Sequence, residues 1–189
     1  MEKTLKLSLA ALAMIVFCGL GVAPAEAQYS ENYKLMKAIK DGDYYSARAA
    51  ILSGAQVNAR DDHDVPYVCI VADKGDTDML NIMLDQGANP DLARRDGENP
   101  LMIAAAKGNS AMVGVLLAHK ADPNEQDKNG ETALIKAARL GNRDIVEKLI
   151  AAKADIDHQD YTGKSALGYA MDNRRQRVAQ VLKKAGATD

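Results

Sequence analysis

The chain has 189 residues, 24 Lys and Arg against 26 Asp and Glu for a formal net charge of -2, and 47% hydrophobic residues, which excludes disordered and collagen-like classes. A near-neutral balance with a pI of about 5.9 lacks the basic footprint of a nucleic-acid binder, so no nucleic-acid partner is expected. Two cysteines and three scattered histidines cannot build a disulfide framework or a cysteine-rich zinc module.

Residues 1–27 read as a secretory signal. Lys3 and Lys6 open it, an apolar run extends from Leu7 to Leu20, and Ala25-Glu26-Ala27 offers a small-x-small cleavage pattern before Gln28. The run of 14 residues is shorter than the roughly 20 that span a bilayer, so no stable membrane insertion is expected after cleavage. Phe17 stands before Cys18 where a lipid-modified cysteine wants a small residue. Cleavage leaves the net charge at -2, removes Phe17, the one Phe, and leaves Cys69 as the single thiol. The core must therefore be aliphatic, and Cys69 is expected to be buried in an oxidising compartment, the periplasm or the extracellular space.

After a short lead at 28–31, the rest is organised by a period of 33 residues: Gly42, Gly75, Gly108 and Gly141 keep it, as do Ala55, Ala88, Ala121, Ala154 and Ala187. Gly97, Gly130 and Gly163 form a third register, and Asn58, Asp91, Asn124 and Asp157 a fourth. The repeats fall at about 32–60, 61–93, 94–126, 127–159 and 160–187. The first opens near Ser30 directly into a helix with Lys34, Lys37 and Lys40 interleaved, which suits an N-terminal cap. In the later repeats an apolar helix, a Gly turn, a second apolar helix and a polar loop follow one another. Asn99, Thr132 and Ser165 are placed to cap the first helix, and Gly108 and Gly141 to end it. Small pairs such as Ala104-Ala105 and Ala137-Ala138 let neighbouring first helices approach, while Val113 with Leu116-Leu117 and Val146 with Leu149-Ile150 make the stripe of the second. The last repeat carries Lys183 where its neighbours have Leu117 and Ile150, and Arg174-Arg175 where they have Gly-Asn, as a solvated C-terminal cap would.

This pattern resembles the ankyrin-repeat family. Gly97-Glu98-Asn99-Pro100-Leu101-Met102, Ala104-Ala105, Gly108-Asn109, Met112-Val113-Gly114-Val115-Leu116-Leu117 and Lys120-Ala121-Asp122-Pro123-Asn124 carry the resemblance, which covers roughly residues 32–187. It implies an all-α solenoid of helix-turn-helix units with β-turn or hairpin fingers. The family histidine is replaced by Cys69, Met102, Ile135 and Gly168, so apolar contact is expected in place of its hydrogen bonds. Asp64 replaces the finger glycine and Pro66-Tyr67 the Thr-Pro pair, so a distorted first finger is expected.

The resemblance also implies protein recognition through the concave face, by finger tips and the exposed side of the first helices. Carried over by register, the candidate contacts are Asp62, His63, Val65, Asp73 and Lys74, then Arg95, Asp96, Glu98, Ala106 and Lys107. They continue as Lys128, Asn129, Glu131, Arg139 and Leu140, then Tyr161, Thr162, Lys164, Asp172 and Asn173, with Tyr161, Arg95 and Arg139 as the expected anchors.

Other constellations have plainer readings. Asp61-Asp62-His63-Asp64 could hold a hard cation, but it lacks the alternation and glycine of a calcium loop and reads as a solvated turn. Cys69 with His63 lacks an oxyanion site, and no catalytic triad or phosphate loop is present. Met79, Met83, Met102 and Met112 fall at core registers, and Arg174, Arg175, Arg177, Lys183 and Lys184 make the C-terminal end basic. The expectation is a monomeric, non-catalytic protein-binding module without cofactor or metal, acting as scaffold, chaperone or assembly factor for an exported partner. An immunity or inhibitor protein for a toxin or envelope enzyme, and an oxidative-stress protective factor, are the alternatives.

Overall fold

In the computed structural model, which describes residues 25–188 with side chains from Ser30 onward, ten α-helices follow one another in pairs and no extended strand forms among these residues. The apolar leader and Cys18 lie outside the described residues. The chain divides after Gln56 into two compact units.

The first unit is a helix pair, α1 (Ala25–Asp41) and α2 (Tyr44–Leu52). Residues 28–31, expected as a separate lead, belong to α1, which starts before them. Leu35, Ile39, Ala47 and Ala50 are buried within the pair. Lys34 and Lys37 stay exposed, paired with Glu31 and Asp41 at 2.7 and 3.0 Å. Lys34, Lys37 and Ser46 occupy registers where later repeats bury Tyr67 and Pro100, Ile103, and Met79, so the first repeat presents a polar face as a cap does.

In the second unit, from Val57 on, four helix pairs repeat: α3 (Tyr67–Lys74) and α4 (Thr77–Asp85), α5 (Pro100–Lys107) and α6 (Ser110–Ala118), α7 (Ala133–Leu140) and α8 (Arg143–Ala151), α9 (Ala166–Asp172) and α10 (Gln176–Lys184). The inner helices α3, α5, α7 and α9 pack in succession, and so do the outer helices α4, α6, α8 and α10. No single pair can hide its apolar face, so neighbours must supply the other wall of the core. Val68, Leu101, Leu134 and Leu167 from the inner helices and Leu80, Val113, Val146 and Val178 from the outer ones are sealed there. Each such side chain contributes roughly 1.5–3 kcal/mol of apolar burial. The four methionines at core registers are sealed too.

Each helix begins and ends for a local reason. Asn99, Thr132 and Ser165 accept the third N–H of α5, α7 and α9, and Asp76, Asn109 and Asn142 do the same for α4, α6 and α8. Asn109 and Asn142 also donate from Nδ2 to the Gly75 and Gly108 carbonyls one repeat earlier, at 3.4 and 3.3 Å, a bond aspartate could not make. At the C-terminal end this device is lost: Arg174 takes the glycine's left-handed backbone at φ 56°, and Arg175 leaves α10 without a side-chain cap.

The fourth register is a ladder. The side chains of Asn58, Asp91, Asn124 and Asp157 accept the backbone N–H of Asn89, Asp122, Asp155 and Thr188 in the following turn, at 2.8, 3.0, 2.7 and 2.9 Å. These residues recur because each staples one exit loop to the next.

Two expectations are corrected. At the family-histidine position, Met102 and Ile135 are buried as expected, but Cys69 keeps a polar link: its Sγ donates to the Leu92 carbonyl at 3.1 Å. The first finger is also undistorted. Asp61 donates to Val65 O and Asp64 to Asp61 O, as Asp127 does to Glu131 and Gly130 to Asp127, because Asp64 adopts the glycine-like φ of 64°. What differs is the joint between fingers. Lys128 N–H donates to Asp96 O at 2.8 Å and Tyr161 N–H to Asn129 O at 3.0 Å. Among the described residues no such bond joins Arg95 to His63; there Arg60 donates to Asp64 O and Ala93 O, and Arg95 Nε to Asp64 Oδ2 at 3.2 Å.

Candidate protein-binding surface

The four fingers and the adjoining face of the inner helices carry the candidate contacts. Asp62, His63, Asp73, Lys74, Arg95, Asp96, Ala106, Lys107, Lys128, Asn129, Leu140, Tyr161, Thr162, Asp172 and Asn173 are exposed. Val65, Glu98, Arg139 and Lys164 are half-buried, and Glu131, expected on the surface, is only 8% exposed.

The reason for Glu131's burial is an ion-pair network along the inner face. Lys136 lies among Asp127, Glu131 and Glu98, at 2.8, 3.3 and 3.4 Å, and Glu131 also pairs with Arg139. Glu98 continues the chain to Arg94 at 3.3 Å, and Arg94 and Lys107 both reach Asp73. A lysine taken this far from water must be compensated, and three carboxylates do it. Charges on this face are therefore largely spent on one another.

Arg139 is held a second time, its guanidinium 4.3 Å from the Tyr169 ring centre, with Lys164 Nζ at 5.1 Å from the same ring. Tyr169 in turn donates to Asp160 Oδ2 at 2.6 Å, and Lys164 pairs with Asp172 at 2.5 Å. As an anchor for a partner, Arg139 is thus preoccupied, in contrast to Tyr161 at 74% and Arg95 with a side chain 78% exposed.

Asp127 and Asp160, in the register of Asp61, organise their turns. Each Oδ1 accepts two backbone N–H groups of its own finger, from Asn129 and Glu131 or from Thr162 and Lys164. Burial alone would push the Asp160 carboxyl up, but hydrogen bonds from Thr162, Tyr169 and the finger backbone outweigh it and hold the carboxyl down at about 2. Its contribution to stability is therefore complete above the ordinary carboxylate range, near pH 4, and is lost as pH falls toward 2. Acid titration of stability in the protein and in Asp160→Asn should show the wild-type advantage shrinking through that window; a difference that stays constant from pH 5 to pH 2, as approximate limits, would remove this role.

The other constellations are committed elsewhere. Asp61 Oδ1 caps His63 and Val65, and Asp64 pairs with Arg60 and Arg95. Among the described residues no group of three His, Cys, Asp or Glu converges as a metal site. Cys69 is fully buried, and burial pushes its thiol up to about 12, the state of a core hydrogen-bond donor and not of a nucleophile. Among the described residues no helix is long and apolar enough to cross a membrane.

Sequence reasoning missed Arg94, Lys136 and Tyr169. Lys136 carried a usable signal: it occupies the register of Ile70 and Ile103, and a lysine at a half-buried position needs carboxylates nearby.

A comparison with curated proteins finds no match. Two family models do match: one of ankyrin repeats in many copies over residues 83–137, and one of three ankyrin repeats over residues 115–188. Together they span more than half of the chain, and ankyrin repeats form protein–protein interaction modules. With the helix pairs, left-handed turns and fingers described above, these matches show that the chain belongs to the ankyrin-repeat family and is an all-α solenoid.

Proposed function

We propose that this protein is a non-catalytic, monomeric binding module of the bacterial periplasm, exported by the signal at 1–27 and serving an exported protein as scaffold, chaperone or assembly factor. One observation carries the reading: the fingers hold the same backbone hydrogen bonds in each of the four later repeats, while their outward residues change from Asp62 to Arg95, Lys128 and Tyr161. A constant frame with a variable, exposed face is what selective recognition requires. The burial of Cys69 gives no support to stress protection through its thiol.

The test is affinity capture from an envelope extract with the exported chain as bait, beside a variant with Arg95, Lys128 and Tyr161 changed to Ala. One saturable partner that disappears with the variant is the expected result, and its identity separates a chaperone client from a toxin or enzyme under inhibition. Recovery of no saturable partner overturns the reading.

A further inference from the structure

The finger tips form a row with a charge order. Asp62, Arg95, Lys128 and Tyr161 stand one repeat apart, on the same position of four successive fingers. The fingers are tied side by side, the second to the third and the third to the fourth by backbone hydrogen bonds, and the first to the second by Arg95 Nε on Asp64 Oδ2. All four residues are exposed. Among the described residues Lys128, unlike the cations of the inner face, forms no ion pair, and neither does Asp62. Arg95 uses only Nε on Asp64, which leaves its two terminal nitrogens for another acceptor. The Tyr161 ring lies against the Gly130 backbone, within 2.7 Å of where a Cβ would stand, so it is held in place although 74% exposed. Negative, positive, positive and aromatic positions therefore follow one another on a rigid edge.

From this row we infer that the partner of the binding module is an extended peptide segment that crosses the fingers with a basic, an acidic, an acidic and an apolar residue, facing Asp62, Arg95, Lys128 and Tyr161 in that order. The inference rests on the protein-binding reading above and names its ligand chemistry. The inner face cannot supply such a charge code, because its ion pairs already satisfy one another. Spacing supports it too. Packed helices lie about 8–10 Å apart and an extended chain rises about 3.3 Å per residue, so neighbouring fingers match every third residue of a strand-like segment. Charge order fixes direction and register, and Tyr161 adds an amphipathic anchor.

The probe is a fluorescein-labelled decapeptide, Lys-Gly-Ser-Glu-Gly-Ser-Glu-Gly-Ser-Phe, with a second peptide of reversed sequence because the backbone can run either way. A permuted peptide, Glu-Gly-Ser-Phe-Gly-Ser-Lys-Gly-Ser-Glu, matches the row in neither direction. Fluorescence anisotropy with the exported protein should show one of the first two binding about tenfold more tightly than the permuted one. Lys128→Glu should weaken it by about threefold to tenfold, and exchange for Lys of the peptide Glu nearer the Phe, the one that faces position 128 in either sequence, should restore binding to that variant. This rescue also proves the variant folded. Tyr161→Ala should weaken binding with the salt dependence unchanged. Equal binding of all three peptides, or a Lys128→Glu loss that the exchanged peptide does not restore, overturns the inference. If capture still loses its partner in the triple variant, that result sinks the charge code alone; absence of any captured partner sinks the protein-binding reading with it.

Discussion

Gly97→Ala is expected to destabilise the protein by about 2–5 kcal/mol, and Gly163→Ala, in the same register, by only about 1–2 kcal/mol. Both glycines have left-handed backbone, at φ 84° and 79°, so both variants bear the strain of an L side chain there. They differ in what lies beyond. A Cβ on Gly97 would stand 2.9 Å from Asp127 Cα and 3.2 Å from Lys128 N, and backbone cannot rotate out of the way. Among the described residues a Cβ on Gly163 would meet only Gln159 Oε1 at 4.0 Å, with no further finger packed against it. Forcing the third finger off the second also breaks the bond from Lys128 N–H to Asp96 O, worth about 1 kcal/mol. Urea unfolding of the two variants measures the difference directly, and equal losses would show that close finger approach adds nothing. The molecule contains its own version of this substitution. Asp64 sits in the same register with a Cβ, and that is the joint where the backbone bond gives way to the side chains of Arg60 and Arg95.

Regular features of this fold were readable because a repeat states each of them several times. Four registers of period 33 located the turns, the exit loops and the helix starts, and the caps at Asn99, Thr132 and Ser165 form as that period implies. Such patterns report what one repeat does to itself. They are silent on what a side chain meets in the next repeat. Glu131 reads as a polar, exposed finger residue, yet Lys136 and Arg139 draw it inward, and Lys136 also takes Glu98 from the repeat before. Arg139 reads as a free anchor until Tyr169, 30 residues later in the chain, is brought beneath it. The tip positions of the candidate surface were legible for the opposite reason: Arg95, Lys128 and Tyr161 stay exposed as their register implies, even where Arg95 meets Asp64 and the Tyr161 ring lies against Gly130.

Asn99→Thr is the substitution expected to stabilise the protein, by about 1–2 kcal/mol, or roughly 2–4 °C in Tm per kcal/mol. Asn99 is 1% exposed; its Oδ1 accepts Met102 N–H at 2.9 Å and caps α5, but among the described residues its Nδ2 has no partner. A buried donor without an acceptor has given up its water and gained nothing in return, at a cost of about 1–3 kcal/mol. One repeat later Thr132 performs the same capping with a hydroxyl, from nearly the same backbone, φ -95° and ψ 169° against -97° and 170° at Asn99. That extended backbone suits a β-branched side chain and is the one Pro100 demands of the residue before it. Threonine therefore keeps the cap and deletes the orphaned amide. Removing the cap as well, in Asn99→Ala, should forfeit about 1 kcal/mol of that gain. Thermal and urea unfolding of the two variants beside the wild type give the ranking, with hydrogen exchange across α5 reporting the local effect. If Asn99→Thr is no more stable than the wild type, the unpaired Nδ2 carries no cost, and the preference for a hydroxyl at this register lies elsewhere.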